Sequence, residues 1–497
     1  MRTGRTRVGK LLVCVSLAAE MAEALAAMRR AAALGADMVE LRLDLMPGFD
    51  LEALLRERPL PVIVTYRPKR AGGAYTGSEG ERLATLRRAI ALGAEYVDAE
   101  KDVVHDLRGY GKARIIVSRH EFEEVTESLP LRRLYDGLAA TGADIIKIAV
   151  TAKRIEDNLE VLELLRHSDR PTIALAMGEA GVVSRILAGR YGGFLTFAAL
   201  DGAAPVAPGQ ISLSDMLDLY RVREIAASTE LYGVMANPVG HSLSPAIHNA
   251  AFRECGLDAV YLPLLVQEPV SFLRAFTPLG FKGYSVTIPH KQAVMAALDE
   301  VEPLAARIGA VNTVVAQGGR LLGYNTDVGG AIRSIEEALP EGVSLAGLRA
   351  LLIGAGGLAR ALAYSLTDRG VQLTIANRNV ERARDLAGEV GAEHRSLEHM
   401  VGIRVDLLLQ TTSVGKYPNV GESIVPASML RPGLVVYDAV YNPLETRLLR
   451  EANLAGCLTV SGLGHFVHQA AGQFELWTGL AAPRQVMREA MLRRLAN

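Results

Sequence analysis

Eight short apolar runs punctuate the chain before residue 220, at 10–17, 38–44, 61–67, 96–100, 113–120, 144–150, 171–178 and 193–200. Between most of them lie stretches whose apolar positions recur every three to four residues, such as 22–34 and 83–92. Short apolar runs predict buried strands, and the intervening periodicity predicts amphipathic helices. Eight such alternations predict a parallel (β/α)8 barrel, sheathed by helices, with its chemistry at the C-terminal ends of the strands. Glu40, Arg42, Arg67, His120, Lys147 and Met177 fall at those ends or on inward-facing positions.

The rest of the chain follows a different pattern. Residues 215–228 predict a helical connector, after which 231–235, 259–265 and 283–287 predict strands of another α/β unit. From residue 348 the order is strand 349–354, glycine turn, helix 358–369, strand 372–377, the opening of a Rossmann dinucleotide-binding sheet. The expected domains are 1–224, then 229–335 together with 470–497, and 336–469 between them.

At 497 residues the chain is too long for one ordinary domain, and with 49% hydrophobic and 22% charged residues it has a globular composition. A net charge of -1 gives no global field for nucleic acid or an anionic membrane, so anionic ligands depend on local Arg and Lys. Cys14, Cys255 and Cys457 are too far apart to suggest a metal site or a disulfide framework, and a reducing cytoplasm is expected. The basic segment 2–10 followed by apolar 11–19 has the outline of a secretory leader. The apolar part is short, however, and runs into Glu20 and Glu23 of a helical pattern, so it is read as the first core strand. No run of about 20 apolar residues predicts a membrane span.

Lys147 lies inside the apolar run 144–150. Burying an ammonium costs several kcal/mol unless something uses it, and a buried amine is a nucleophile toward carbonyls. The plainer alternative is a lysine whose head reaches solvent. His120 ends another run and Arg185 follows a third, which together supply the parts for carbonyl chemistry on an anionic substrate.

The motifs Glu40–Arg42–Asp44, Thr65–Arg67, Ser118–His120, Lys147–Ala149, Met177–Arg185 and Ala207–Gln210 make residues 10–220 resemble type I 3-dehydroquinate dehydratases. The resemblance implies that Lys147 forms an imine with the substrate ketone and that His120 moves the protons. It also implies that Arg185 clamps the carboxylate, that Glu40, Arg42, Arg67 and Gln210 contact the ring hydroxyls, and that Ser16 belongs to the substrate site. The alternative for Glu40 and Arg42 is a structural ion pair along one strand face. Two positions depart from the family pattern. Ala71 stands where a Glu usually orients the histidine, with Glu79 and Glu100 as possible substitutes, and Val206 replaces the usual Ser.

Residues 231–497 resemble shikimate dehydrogenases through Asn237–Pro245, Ser285–Lys291, Gly309–Thr313, Asn325–Asp327 and Gly462–Gln469. The resemblance implies a catalytic pair Lys291 and Asp327, a carboxylate grip by Ser242 and Ser244, hydroxyl contacts from Thr287, Asn312 and Gln469, and a place for Ser285 in the substrate site. Ser285 stands where the family often has Asn. The glycine turn Gly354-Ala355-Gly356-Gly357 is the expected pyrophosphate cradle. Asn377-Arg378, with Arg382 one turn on, replaces the acidic residue that would bind a ribose hydroxyl, so NADP is the expected cofactor and no metal is implied. Thr411, Ser413, Tyr441 and Gly462 resemble further cofactor contacts. The implied function is dehydration of 3-dehydroquinate followed by NADPH-dependent reduction to shikimate. Rival readings are a shikimate/quinate dehydrogenase with an impaired dehydratase half, and a non-catalytic metabolite-sensing regulator.

Overall fold

The computed structural model describes residues 10–124 and 130–496, so all but Lys10 of the leader-like basic segment lies outside the described residues. The chain divides into two compact units, Met1–Ser242 with Asp258–Gly280, and Leu243–Leu257 with Phe281–Asn497.

In the first unit all eight expected strands form: β1 (Leu12–Leu17), β2 (Met38–Arg42), β3 (Val62–Thr65), β4 (Tyr96–Glu100), β5 (Arg114–Glu124), β6 (Ile145–Thr151), β7 (Thr172–Met177) and β8 (Leu195–Ala198). They are parallel and neighbour one another in the order β7-β6-β5-β4-β3-β2-β1-β8. The Phe194 N–H donates to the Thr172 carbonyl at 2.8 Å and draws the two free edges together at the start of β7 and β8. The result is the near-closed barrel that the alternation predicts.

Strand period two then sorts the interior into layers. Cys14, Met38, Ile63, Ile116, Ile145, Ile173 and Leu195 pack together as an apolar floor. Two residues further along several strands the inward column turns polar, to Ser16, Glu40, Thr65, Ser118 and Lys147. The helix expected over 215–228 is a correction: only Asp215–Leu219 is helical, with the Tyr220 N–H bonded to the Asp215 carbonyl. Arg221 follows at φ 50, a left-handed backbone that ends the helix, and its guanidinium pairs with Glu224. The first unit also carries β9 (Glu230–Ala236), paired in parallel with β10 (Ala259–Leu265).

The second unit carries β11 (Phe281–Val286), β12 (Glu300–Val301), β13 (Thr313–Gln317) and β14 (Arg320–Tyr324). β13 and β14 form a hairpin through Gly318 and Gly319 at φ 59 and 79, the backbone a two-residue hairpin turn requires. A six-stranded parallel sheet follows: β15 (Arg349–Ile353), β16 (Gln372–Asn377), β17 (Glu393–Ser396), β18 (Leu407–Gln410), β19 (Val435–Asp438) and β20 (Leu458–Val460). Its order β17-β16-β15-β18-β19-β20 is the dinucleotide-binding order, reversing direction at β15. Alternate residues of β15 feed two separate cores, Ala350 and Leu352 on one face and Leu351 and Ile353 on the other.

Helix Thr326–Glu336 packs closely on helix Gly462–Thr478, and a Cβ at Gly330 would lie 2.7 Å from the Gln469 backbone nitrogen. Gly330→Ala should therefore push these helices apart at a cost of about 1–3 kcal/mol. Trp477, the only tryptophan, sits on the second of them. Its fluorescence should report a lower denaturation midpoint in the variant; an unchanged midpoint would contradict this packing.

Candidate active sites

The polar layer of the barrel is built around Lys147. Its Nζ donates to Asp98 Oδ2 at 2.7 Å and to Glu40 Oε1 at 3.2 Å. Glu40 also accepts from Ser16 Oγ at 2.7 Å and Thr65 Oγ1 at 2.9 Å, and Asp98 accepts from Ser118 Oγ at 2.6 Å and an Arg67 nitrogen at 3.3 Å. The Phe197 ring lies 4.5 Å from Nζ. This cluster opens into a cavity of about 290 Å³ lined by Ser16, Glu40, Arg42, Arg67, His120, Lys147, Met177, Arg185 and Gln210. The barrel-side candidates are thus brought together. Arg42 forks onto Asp44 at 2.8 and 3.0 Å, and Glu40 turns to Lys147, so these two do not serve as each other's main partners.

Among the described residues, Arg185 is the one Arg or Lys lining this cavity without a carboxylate partner. One guanidinium nitrogen donates to the Pro208 carbonyl at 3.2 Å, while its buried Nε has no partner. Burial alone pulls its pKa down to about 10. Four cations, Arg42, Arg67, Lys147 and Arg185, thus stand against three carboxylates, Glu40, Asp44 and Asp98, which leaves room for one anionic group.

In the second unit Lys291 Nζ lies 2.5 Å from Asp327 Oδ2. The other carboxylate oxygen of Asp327 accepts from Asn312 Nδ2 at 2.8 Å, and Asn312 Nδ2 also approaches Gln469 Oε1 at 3.5 Å. Ser285 Oγ donates to Gln473 Oε1 at 2.7 Å, and Gln473 Nε2 donates to the Asn312 carbonyl at 3.1 Å. Burial opposes ionisation of Asp327, but Lys291 and His465 outweigh it and hold its pKa below the ordinary range. Thr287 lies in the turn after β11. Ser244 opens helix Ser244–Glu254 of this unit, whereas Ser242 belongs to the first.

The glycine turn after β15 fits a dinucleotide. Gly354 takes φ 122 and a Cβ there would meet Thr411 Oγ1 at 2.5 Å, while Gly356 and Gly357 face open space at the start of helix Gly357–Asp368. Ala355 sits between them, partly buried. Asn377 ends β16 and bonds to the Asn379 carbonyl at 3.0 Å. Arg378 and Arg382 are exposed, with no carboxylate partner among the described residues. Thr411 Oγ1 donates to the Ile353 carbonyl at 2.7 Å, Ser413 is exposed, and Tyr441 packs on Phe466 with ring centroids 5.0 Å apart. Gly462 starts its helix where a Cβ would meet the Ala439 carbonyl at 2.5 Å.

The sequence profile of type I 3-dehydroquinase matches residues 13–227. The shikimate dehydrogenase substrate-binding domain matches 234–314, the shikimate/quinate 5-dehydrogenase family 336–417, and the shikimate 5'-dehydrogenase C-terminal domain 462–492. A bifunctional 3-dehydroquinate dehydratase/shikimate dehydrogenase of Arabidopsis thaliana, described as chloroplastic, is 44% identical over 92% of this chain and 80% of its own length. The chain belongs to the family of bifunctional 3-dehydroquinate dehydratase/shikimate dehydrogenases. An NADP-dependent shikimate dehydrogenase of Moorella thermoacetica is 46% identical over 54% of this chain and 96% of its own. A shikimate dehydrogenase crystallised with NADP+ superposes with TM-score 0.52 at 38% identity, covering 55% of this chain and 98% of that one. A quinate dehydrogenase of Corynebacterium glutamicum in complex with NAD gives TM-score 0.50 at 35% identity, covering 53% and 99%. This chain is therefore a bifunctional shikimate-pathway enzyme with dehydratase and NADP-dependent dehydrogenase activities.

Asp98 is the member of the dehydratase site that sequence reading passed over. Its signal was a carboxylate within the short run Tyr96–Glu100 that forms β4. Burial raises the pKa of Asp98 and Glu40, but Lys147 and Arg67, joined at Glu40 by Arg42, outweigh it and hold both carboxylates at about 2. Ala71 ends the turn Lys69–Ala71, and the following Gly72, Gly73 and Ala74 line the cavity. Glu79 and Glu100 both pair with the buried Arg82, at 2.6 and 2.8 Å, and neither is among the residues lining the cavity.

Burial first, then the charges of Arg67 and Lys147, push the His120 pKa well below its ordinary 6.5. A depressed pKa keeps the imidazole neutral, and able to accept a proton, to lower pH than a free histidine. Removing the Arg67 charge makes protonation easier. Arg67→Ala should therefore move the acid limb of the dehydratase kcat/KM profile to higher pH, and Arg67→Lys should leave it near the wild-type position. Coincident limbs for wild type and Arg67→Ala would contradict the electrostatic account.

Proposed function

We propose the following division of labour. Residues 1–224 form the dehydratase, 229–335 with 470–497 hold shikimate, and 336–469 hold the nucleotide. In the dehydratase, Lys147 attacks the ketone of 3-dehydroquinate. Asp98, 2.7 Å from Nζ, is the nearest acceptor for the proton the ammonium must lose. Loss of water from the adduct leaves a protonated imine, an electron sink that acidifies the neighbouring C–H. His120 takes that proton and later returns one to the departing hydroxyl. Arg185 forks onto the substrate carboxylate, an inference supported by its lack of an internal carboxylate partner. Ser16, Glu40, Arg42, Arg67 and Gln210 orient the ring.

In the dehydrogenase, Lys291 and Asp327 hold the ketone oxygen and supply its proton, while NADPH when bound supplies hydride. Ser285, Thr287, Asn312 and Gln469 take the ring hydroxyls, and Ser242 and Ser244 the carboxylate. Gly354, Ala355, Gly356 and Gly357 cradle the pyrophosphate. Asn377, Arg378 and Arg382 surround the 2′-phosphate, and Thr411, Ser413, Tyr441 and Gly462 complete the nucleotide side. The presence of both serines, and of two arginines with no carboxylate partner among the described residues, favours shikimate and NADP over quinate and NAD. Free Cys14, Cys255 and Cys457, with no helix among the described residues long and apolar enough to cross a membrane, support a cytoplasmic setting.

The observation that carries the dehydratase reading is Lys147 held between two carboxylates at the floor of a cavity. Borohydride added with 3-dehydroquinate should fix the substrate covalently to Lys147, located by peptide mass spectrometry. An active enzyme with Lys147 unmodified would rule the imine out. For the nucleotide, a charge-assisted contact is worth about 1.5–3 kcal/mol, roughly ten- to a hundredfold in affinity. Arg378→Ala should raise KM for NADPH by that order and for NADH little, with shikimate KM nearly constant. Equal losses for both nucleotides would make Arg378 a structural residue.

A further inference from the structure

The first turn of helix Gly462–Thr478 carries a half-buried imidazole that the reaction as described does not use. His465 is four residues before Gln469, so both lie on one helix face. Its Nδ1 lies 2.7 Å from the hydroxyl of Tyr437, a wholly buried residue of β19, and among the described residues that hydroxyl has no other hydrogen-bond partner. A buried phenol left without an acceptor is costly, so the Tyr437 O–H donates to Nδ1. In a neutral ring the proton then resides on Nε2, a buried atom with no hydrogen-bond partner. The Asp327 carboxylate and main-chain carbonyl both act on this ring, and the ring acts back on the Asp327 carboxylate.

We infer that His465 is a positioning residue of the dehydrogenase, a neutral imidazole whose tautomer is fixed by Tyr437 and which leaves Lys291 as the cation paired with the Asp327 carboxylate. The inference rests on Lys291 and Asp327 being the proton-transfer pair. An imidazolium here would need to donate from Nδ1 as well as Nε2. It would strand the Tyr437 proton and set a second cation against Asp327 in competition with Lys291. The charged and titratable groups facing the ring are Asp327, Lys291, His468 and Tyr437, and Asp438 acts in turn on Tyr437. Burial, Lys291 and His468 resist protonation and Asp327 favours it, with the balance at about 4. The hydrogen bond from Tyr437 adds to the resistance, because it stabilises the neutral ring.

The test is the pH profile of dehydrogenase kcat/KM, with dehydratase activity of the same chain as the measure of folding. Tyr437→Phe removes the donor to Nδ1, raises the pKa of His465 and should move the acid limb up by about one pH unit. The double variant Tyr437→Phe/His465→Asn has no imidazole to protonate and should return the limb to its wild-type position. Dehydratase turnover should be unchanged in both. A Tyr437→Phe profile that superimposes on wild type, or a shift that persists in the double variant, overturns the role of His465. Lys291→Ala distinguishes the premise: dehydrogenase activity surviving that change would overturn the catalytic pair itself.

Discussion

An ammonium inside a barrel of apolar strands is tolerable only if opposite charge is built in around it, and the dehydratase half is organised by that requirement. An unpaired buried charge costs several kcal/mol. Lys147 avoids the cost by bonding to Glu40 and Asp98, which are bonded in turn to Ser16, Thr65, Ser118 and Arg67. The ring of strands makes this possible, because β2, β4 and β6 each contribute one inward residue to the same layer. The same network holds the reactive amine at a defined place in the cavity and leaves Arg185 without a carboxylate partner among the described residues. Stability and reactivity here come from one set of contacts.

The dehydrogenase meets the same problem with a smaller network. Lys291 and Asp327 are partly exposed, at 31% and 16% of their side chains, so less desolvation has to be offset. Placement comes from two helices drawn together at Gly330, one carrying Asp327 and the other Gln469 and His465. Asn312 ties both helices to the end of the strand region before them through Asp327, Thr326 and Gln469. The hydroxyl-binding candidates are therefore cross-linked to the proton pair.

All eight barrel strands were legible because each is a compact apolar run, and the turn at Gly354 because its glycines lie between a strand pattern and a helical one. Asp98 was not legible. A lone carboxylate in the middle of a five-residue run matches no motif quoted for the site, and its value emerges only when β4 stands in the ring with β6. The pairing of Arg42 with Asp44 rather than Glu40 depends likewise on Lys147, 107 positions away from Glu40, claiming the latter. The connector at 215–228 misled because Tyr220 and Arg221 give no sign in helical periodicity of the left-handed step between them and the next strand. The β13–β14 hairpin, with its Gly318-Gly319 turn, lies between the motifs Gly309–Thr313 and Asn325–Asp327 and was not among the expected elements.

The central claim is that one chain holds two working sites acting in sequence on the same carbon ring. The most direct measurement supplies 3-dehydroquinate and NADPH to the intact protein and follows enone absorbance and NADPH together. Enone should rise first, then fall as NADPH is consumed, ending as shikimate. Enone that accumulates with no NADPH loss, or NADPH consumed only when 3-dehydroshikimate is added directly, would contradict the claim that both sites work.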